Sequence, residues 1–263
     1  MRRATFILLL IIAAITISSS AQETAVSNQN PNVVLIITDD VGYGDIGSYG
    51  APDILTPNID GLARNGIRFT DFYANAPVCT PTRAALISGR YQQRVGLENP
   101  LGHATSSSGE KGLPPTGRSL PQLLKNSGYA TALIGKWHLG YKPEYSPNAH
   151  GFDYFFGFKS GYIDYYMHTA RNGQPDLFEN AAPVEVSGYM TDLITERSVG
   201  FIRQHTHQPF FIEVAYNASH WPYQPFDQPS KARDNARHLE ATDENTSTRK
   251  DYIAMLERAD QGI

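Results

Sequence analysis

Cys79 is the only cysteine of a 263-residue chain, and the residues around it make it a candidate for chemistry. It opens the segment Cys79-Thr80-Pro81-Thr82-Arg83-Ala84-Ala85-Leu86-Ile87-Ser88-Gly89-Arg90. The segment predicts a helix starting just after Cys79, with Pro81 in its first turn. Free backbone N–H groups and the helix dipole favour an anion there, and Arg83 adds a permanent cation about one turn on. A nucleophile in that position suits attack on a phosphate or sulfate ester; the competing reading is a buried structural cysteine. Asp39 and Asp40 form a second cluster, followed by the glycine-rich VGYGDIGSYG. Carboxylates are hard oxygen donors suited to Ca²⁺, with Mg²⁺ as the alternative. Neighbours on an extended strand point to opposite faces, so both reach one ion only if the chain turns at Asp39, a turn for which Gly42 and Gly44 leave room. The competing reading is a polar loop after a strand.

Strands and helices must carry these groups. Asn32 to Thr38 is a continuous apolar run that predicts a strand buried on both faces. Thr56-Pro57 starts a helix that Gly66 ends, Ile67 to Tyr73 alternates as a second strand, and a helix spans about Pro81 to Ser88. Asn99 to Gly117, rich in Gly, Ser and Pro, reads as a surface loop. Ser119 caps a helix through Asn126, and Tyr129 to Ile134 is another buried strand. Tyr141 to Gly188 is aromatic and turn-rich without clear periodicity. Met190 to His205 reads as an amphipathic helix and Phe210 to Ala215 as a strand. After a polar stretch from Pro225 to Thr248, a last helix begins near Arg249. This alternation implies an α/β sheet with helices on both faces. Asp39-Asp40, Gly135 to His138 and Asn217 to His220 all fall just past strands, where ligand chemistry gathers in such folds.

The pattern Cys-x-Pro-x-Arg followed by an apolar helix and Gly resembles the signature of the sulfatase family. Gly128-Tyr129-Ala130-Thr131-Ala132-Leu133-Ile134-Gly135-Lys136-Trp137-His138-Leu139-Gly140 is similar to a second motif of that family. With the Asp39-Asp40 opening and the later Ala218-Ser219-His220-Trp221-Pro222, the similarity runs from about Asn32 to the end, four motifs in family order. The resemblance implies an alkaline-phosphatase-like α/β sandwich, its central sheet mostly parallel or mixed, with helices on both faces. It implies that a formylglycine-generating enzyme oxidises Cys79 to Cα-formylglycine. One hydroxyl of the hydrate would attack sulfur, and loss of the other's proton would expel sulfate. Asp39, Asp40 and the modified Cys79 would bind one divalent ion. Lys136 would contact the sulfate, His138 would hydrogen-bond the diol and act as base, and His220 would protonate the leaving alcohol at the substrate. Arg83 would hold the formylglycine in place.

His168, in Gly161-Tyr162-Ile163-Asp164-Tyr165-Tyr166-Met167-His168, is a further substrate-pocket candidate, with a surface aromatic loop as the competing reading. His103, His150, His205, His207 and His238 have no motif context and read as solvated or packed. Tyr91, Tyr141 and the run Phe152 to Phe158 read as core rather than as a sugar platform. Asn217 and Asn245 open glycosylation sequons, which matter only in a eukaryotic secretory host.

Composition narrows the rest. Lys and Arg number 22 against 26 Asp and Glu, a net −4 without a basic block, which argues against nucleic acid as a partner. A single cysteine excludes an intramolecular disulfide framework and a Cys-rich zinc site. Arg2 and Arg3, the apolar run Phe6 to Ile17 and the small residues to Ala21 describe a signal peptide over residues 1–21. The protein is therefore expected to be secreted or periplasmic, without stable membrane association, because the run is short for a span. Residues 22–263 read as the N-terminal portion of a sulfatase catalytic domain. The chain stops inside its last helix, and the family's further metal pair and second sulfate-binding lysine have no counterpart motif. The expected reaction is hydrolysis of sulfate monoesters, with sulfated carbohydrates as the substrate class inferred from export. Two other readings stand beside it: a phosphate or phosphonate ester hydrolase of the same superfamily, and an inactive glycan-binding relative.

Overall fold

Residues 30–228 and 248–263 are described by a computed structural model, and the architecture is that of the unit Pro31–Ile263. Residues 1–21, His238 and the Asn245 sequon lie outside the described residues. The strands are β1 (Val33–Ile37), β2 (Ala130–Lys136), β3 (Tyr154–Phe158), β4 (Phe178–Glu179), β5 (Ala182–Pro183) and β6 (Phe210–Ala215). They form one sheet in the order β1-β6-β2-β3-β4-β5. The first four strands of that order are parallel, while β4 and β5 add an antiparallel margin. Ile37, Ala215, Gly135 and Gly157 pair at one level, so the four parallel strands deliver their C-terminal loops to the same edge.

Alternation along β6 explains the two layers. Ile212 and Val214 pack on one face with Met190, Ile194 and Phe201 of α4 (Met190–Gln204) and Met255 and Ala259 of α5 (Arg249–Gly262). Phe211 turns to the other face, against Leu133 of β2 and Ala84 and Ile87 of α2 (Cys79–Ser88). There α3 (Leu120–Asn126) packs Leu120 and Leu124 against the same cluster. Burial of the larger of these side chains, the alanines aside, contributes on the order of 1.5–3 kcal/mol each. The remaining helix, α1 (Pro57–Asn65), is held by α5: Asp260, buried in α5, accepts the Ile59 N–H at 2.8 Å and the Asn58 N–H at 3.2 Å. A carboxylate there satisfies donors that a helix N-terminus leaves open. The α5 N-terminus carries a capping box, in which the Thr248 hydroxyl accepts the Asp251 N–H and the Asp251 carboxylate accepts the Thr248 N–H at 3.0 Å. Thr248→Ala is expected to cost about 1 kcal/mol, readable as a lower urea midpoint with an unchanged slope.

Several expectations need correction. Ile67 to Tyr73 forms no strand: no described strand lies beside it, and Ile67 and Phe72 are about 80% exposed. Alternation supplies a face to bury but not the neighbour that a ladder requires. β1 is not covered on both faces, because it sits at the sheet edge with Val34 45% exposed. The stretch Tyr141 to Gly188 contains β3, β4 and β5. β3 is apolar almost throughout, which removes the period-2 signal. Phe152, Phe155, Phe156 and Phe158 are core as expected, whereas Tyr91 is 66% exposed, on the short turn that follows α2. The loop 99–117 is not all surface, since Leu101 and Leu113 are buried in the cluster beneath α2. Asn217 is also buried, which closes its sequon to modification in the folded chain.

Candidate active site

The helix α2 starts at Cys79 itself, with Val78 as its N-cap residue, two residues earlier than the sequence suggested. Cys79 is half-buried at the first helical position, and Arg83, one turn on, is buried. β2 runs two residues past its expected end, so Lys136 is its last residue. Gly135 makes this course feasible: its φ is +117°, and a Cβ there would lie 2.0 Å from the Ala215 carbonyl oxygen. Only glycine accepts both conditions. His138 follows with φ +54°, an uncommon conformation for a residue with a side chain.

Five of the expected residues, Asp39, Cys79, Arg83, Lys136 and His138, meet at this strand edge. The Lys136 ammonium, fully buried, hydrogen-bonds the Asp39 carboxylate. The Arg83 guanidinium lies 3.6 Å from the same carboxylate and donates to the Lys136 carbonyl at 2.9 Å. Burial alone would raise the Asp39 pKa, but Lys136 and then Arg83 hold it at about 2. His138 Nε2 pairs with the Leu101 carbonyl at 3.0 Å; a carbonyl only accepts, so Nε2 carries the proton. Nδ1 is then left as an acceptor, 3.1 Å from Cys79 Sγ. Burial, followed by repulsion from Lys136, lowers the His138 pKa to about 3, so the imidazole is neutral. The arrangement is a neutral base against the Cys79 side chain at a helix N-terminus, with two buried cations beside it. It can take a proton from a nucleophile and hold a tetrahedral anion.

His220 joins from β6. Its Nε2 is 3.6 Å from the Asp40 carboxylate, and burial followed by Lys136 lowers its pKa. The turn that carries it is tied down from both sides: the Tyr165 hydroxyl donates to the carbonyls of Asn217 (2.8 Å) and His220 (3.0 Å), and the Asp39 N–H donates to the Ala218 carbonyl (3.0 Å). His168 is not brought to this cluster. It is buried, donates from Nε2 to the Gly188 carbonyl at 3.0 Å, and lines a cavity of about 790 Å³ with Tyr166, Tyr189 and Phe226. Cys79, Lys136, His138 and His220 are not among that cavity's lining residues.

The metal expectation for Asp39, Asp40 and Cys79 is only partly matched. The chain does bend at Asp39-Asp40, with Asp40 at φ +56°, and Asp40 faces solvent. The Asp39 oxygens, however, face Lys136 and Arg83, and among the described residues no three His, Cys, Asp or Glu side chains cluster to hold an ion. The buried Asn217 amide, without a hydrogen-bond partner among the described residues, offers a further oxygen donor past the end of β6. Ca²⁺ takes six to eight oxygens, so the described residues do not make a complete Ca²⁺ or Mg²⁺ site. An acid whose partners are cations is already neutralised.

Sequence patterns did not expose the residues that set this geometry. The Leu101 carbonyl fixes the His138 tautomer from a loop that read as surface. The Thr80 hydroxyl accepts the Leu101 N–H and donates to the His138 carbonyl, both at 3.1 Å. An apolar pair, Leu101 and Leu113, inside a Gly/Ser-rich loop was the available signal. Gly161 abuts the imidazole: a Cβ there would lie 2.3 Å from His138 Cε1. Gly161→Ala should therefore displace the ring and lower kcat by about tenfold or more. An unchanged kcat would show that the ring has room to move.

Comparison with known proteins agrees with the fold and the motifs. The sulfatase family model matches residues 31–263, and the chain belongs to the sulfatase family. N-acetylgalactosamine-6-sulfatase of Sus scrofa is 38% identical over 211 residues, covering 74% of this chain and 40% of that protein. Arylsulfatase A of Bos taurus is 38% identical over 219 residues, covering 73% and 42%. Among solved structures, Ps i-CgsB in complex with k-i-k-neocarrahexaose superposes with a TM-score of 0.75 at 34% identity, covering 89% of this chain and 53% of that one. The sheet and its helices thus have the alkaline-phosphatase-like fold of sulfatases. The chain spans about 40% of the length of the curated relatives it matches.

Proposed function

We propose that the whole protein is an exported sulfatase hydrolysing sulfate monoesters of carbohydrates, and that this chain carries its nucleophile. The observation behind this reading is the Cys79 sulfur 3.1 Å from the neutral nitrogen of His138, at the α2 N-terminus beside Arg83 and Lys136. Formylglycine derived from Cys79 would supply, in its hydrated form, a nucleophilic hydroxyl and a second one that permits release. His138 Nδ1 accepts the proton from that position. Lys136 and Arg83 offset the charge of the sulfate, and His220, once protonated at Nε2, would donate a proton to the departing alcohol. Asp39 and Asp40, with the modified Cys79, are the groups that would hold a divalent cation, Ca²⁺ with Mg²⁺ as the alternative, and the described residues alone do not complete such a site. The carbohydrate class is supported by the relatives, one of them a complex with k-i-k-neocarrahexaose. Export is supported by the leader-like residues 1–21. Among the described residues, no helix is long and apolar enough to cross a membrane.

Mass spectrometry of the peptide bearing Cys79, from a host containing a formylglycine-generating enzyme, should show the aldehyde. Parallel assays on aryl sulfate and aryl phosphate should favour the sulfate. A far better phosphate ester would identify a phosphohydrolase instead, and an unmodified thiol with sulfated glycan bound would identify an inactive relative.

A further inference from the structure

Glu213 is the one acid in the strand β6, and the chemistry of the site makes no use of it. It is 2% exposed, and its Oε2 has no hydrogen-bond partner among the described residues. Alternation places it on the face of Phe211, the face covered by α2, at the level of Leu35 in β1 and Leu133 in β2. An apolar side chain would fill this position without desolvating a carboxyl group.

The charges around it are few. From α2 the group on this face is Arg83, whose charge acts on Glu213. β1 and β2 offer apolar Leu35 and Leu133 beside it and carry Asp39 and Lys136 at or past their C-terminal ends, with His138 beyond. Lys125 of α3 is engaged by Asp153 at 2.6 Å. Above Glu213, two buried cations, Lys136 and Arg83, share one buried carboxylate, Asp39. That leaves one positive charge for an incoming anion when Glu213 is protonated, and none when it is ionised.

We propose that Glu213 is a positioning residue for the sulfate pocket, its proton setting how much of the Arg83 charge remains available to an anionic substrate. The inference rests on the sulfatase reading for the identity of the anion, not for the charge balance. Burial pushes the Glu213 pKa up to about 7 against the pull of Arg83, which places the change near neutrality. The native state thus holds a proton that the unfolded chain gives up above the ordinary carboxylate range. Stability falls as pH rises from about 4.5 to about 7 and then levels.

The test compares the full chain with Glu213→Gln, always neutral, and Glu213→Asp, which keeps the carboxyl. Inorganic sulfate binding is followed by calorimetry, and KM and kcat for an aryl sulfate are followed over the same pH range. Wild-type sulfate affinity should weaken about tenfold more than that of Glu213→Gln between about pH 6 and about pH 8. KM should move in parallel, kcat should change little, and Glu213→Asp should restore the dependence. Glu213→Leu, matching its neighbours Leu35 and Leu133, serves if the glutamine variant does not fold. A pH dependence identical in wild type and the neutral variants overturns the proposal, as does a wild type that binds no sulfate at any pH. Sulfate binding with the predicted dependence but no aryl sulfate turnover would sink the sulfatase reading and leave Glu213 in its role.

Discussion

Cys79→Ala is expected to lower sulfate-ester turnover by about four orders of magnitude or more, because it removes the proposed nucleophile rather than one contributor to its environment. The fold should tolerate the change. Cys79 is half-buried at the first position of α2, where alanine is an excellent helix former, so stability should move by about 1 kcal/mol or less. Cys79→Ser separates nucleophile from exit. A serine hydroxyl beside His138 Nδ1 can still attack, but it has no second hydroxyl on the same carbon. It should release about one equivalent of alcohol and stop as a sulfate ester. Wild-type rates in the alanine variant would mean that another group attacks sulfur, and the reading of the α2 N-terminus would fail with it.

The site was legible in the sequence because of the way its chemistry is spaced along the chain. Lys136 and His138 lie two apart at the end of an apolar strand, Asp39-Asp40 ends another and His220 comes after a third. A parallel sheet brings such strand ends to one edge whatever the distance in sequence. The helix layers were equally readable, because Met190 to Gln204 and the residues after Arg249 have strong polar and apolar faces. Pairing was not readable. Ile67 to Tyr73 has the alternation of a strand but no described partner, and β3 is a strand whose aromatic burial on both faces hides its period. Backbone groups were invisible for a simpler reason: the Leu101 carbonyl that sets the His138 tautomer carries no residue-type signal. Glu213 did leave one, a single acid within FFIEVA, where an alternating surface strand would have shown several polar residues.

Lys136→Met tests the charge arrangement as a whole. Lys136 is wholly buried and paired with Asp39, itself nearly so; removing one partner strands the other. In protein freed of divalent cations, the single substitution should cost about 3–5 kcal/mol, because Asp39 keeps only Arg83 at 3.6 Å and its pKa should climb from about 2. Turnover should fall by about two to three orders of magnitude as a pre-placed cation is lost. Asp39→Asn together with Lys136→Met separates these effects. The double variant has no stranded carboxylate, and Glu213 on the same face can ionise to balance Arg83, so much of the lost stability should return. Activity should not, because the cation proposed to meet the sulfate is still gone. Recovery of both would make the pair a structural clamp and move sulfate binding to Arg83 alone. Recovery of neither would show that the ammonium is required to close the strand edge itself, through the Lys136 carbonyl that accepts from Arg83 and the Asp39 backbone that accompanies the His220 turn.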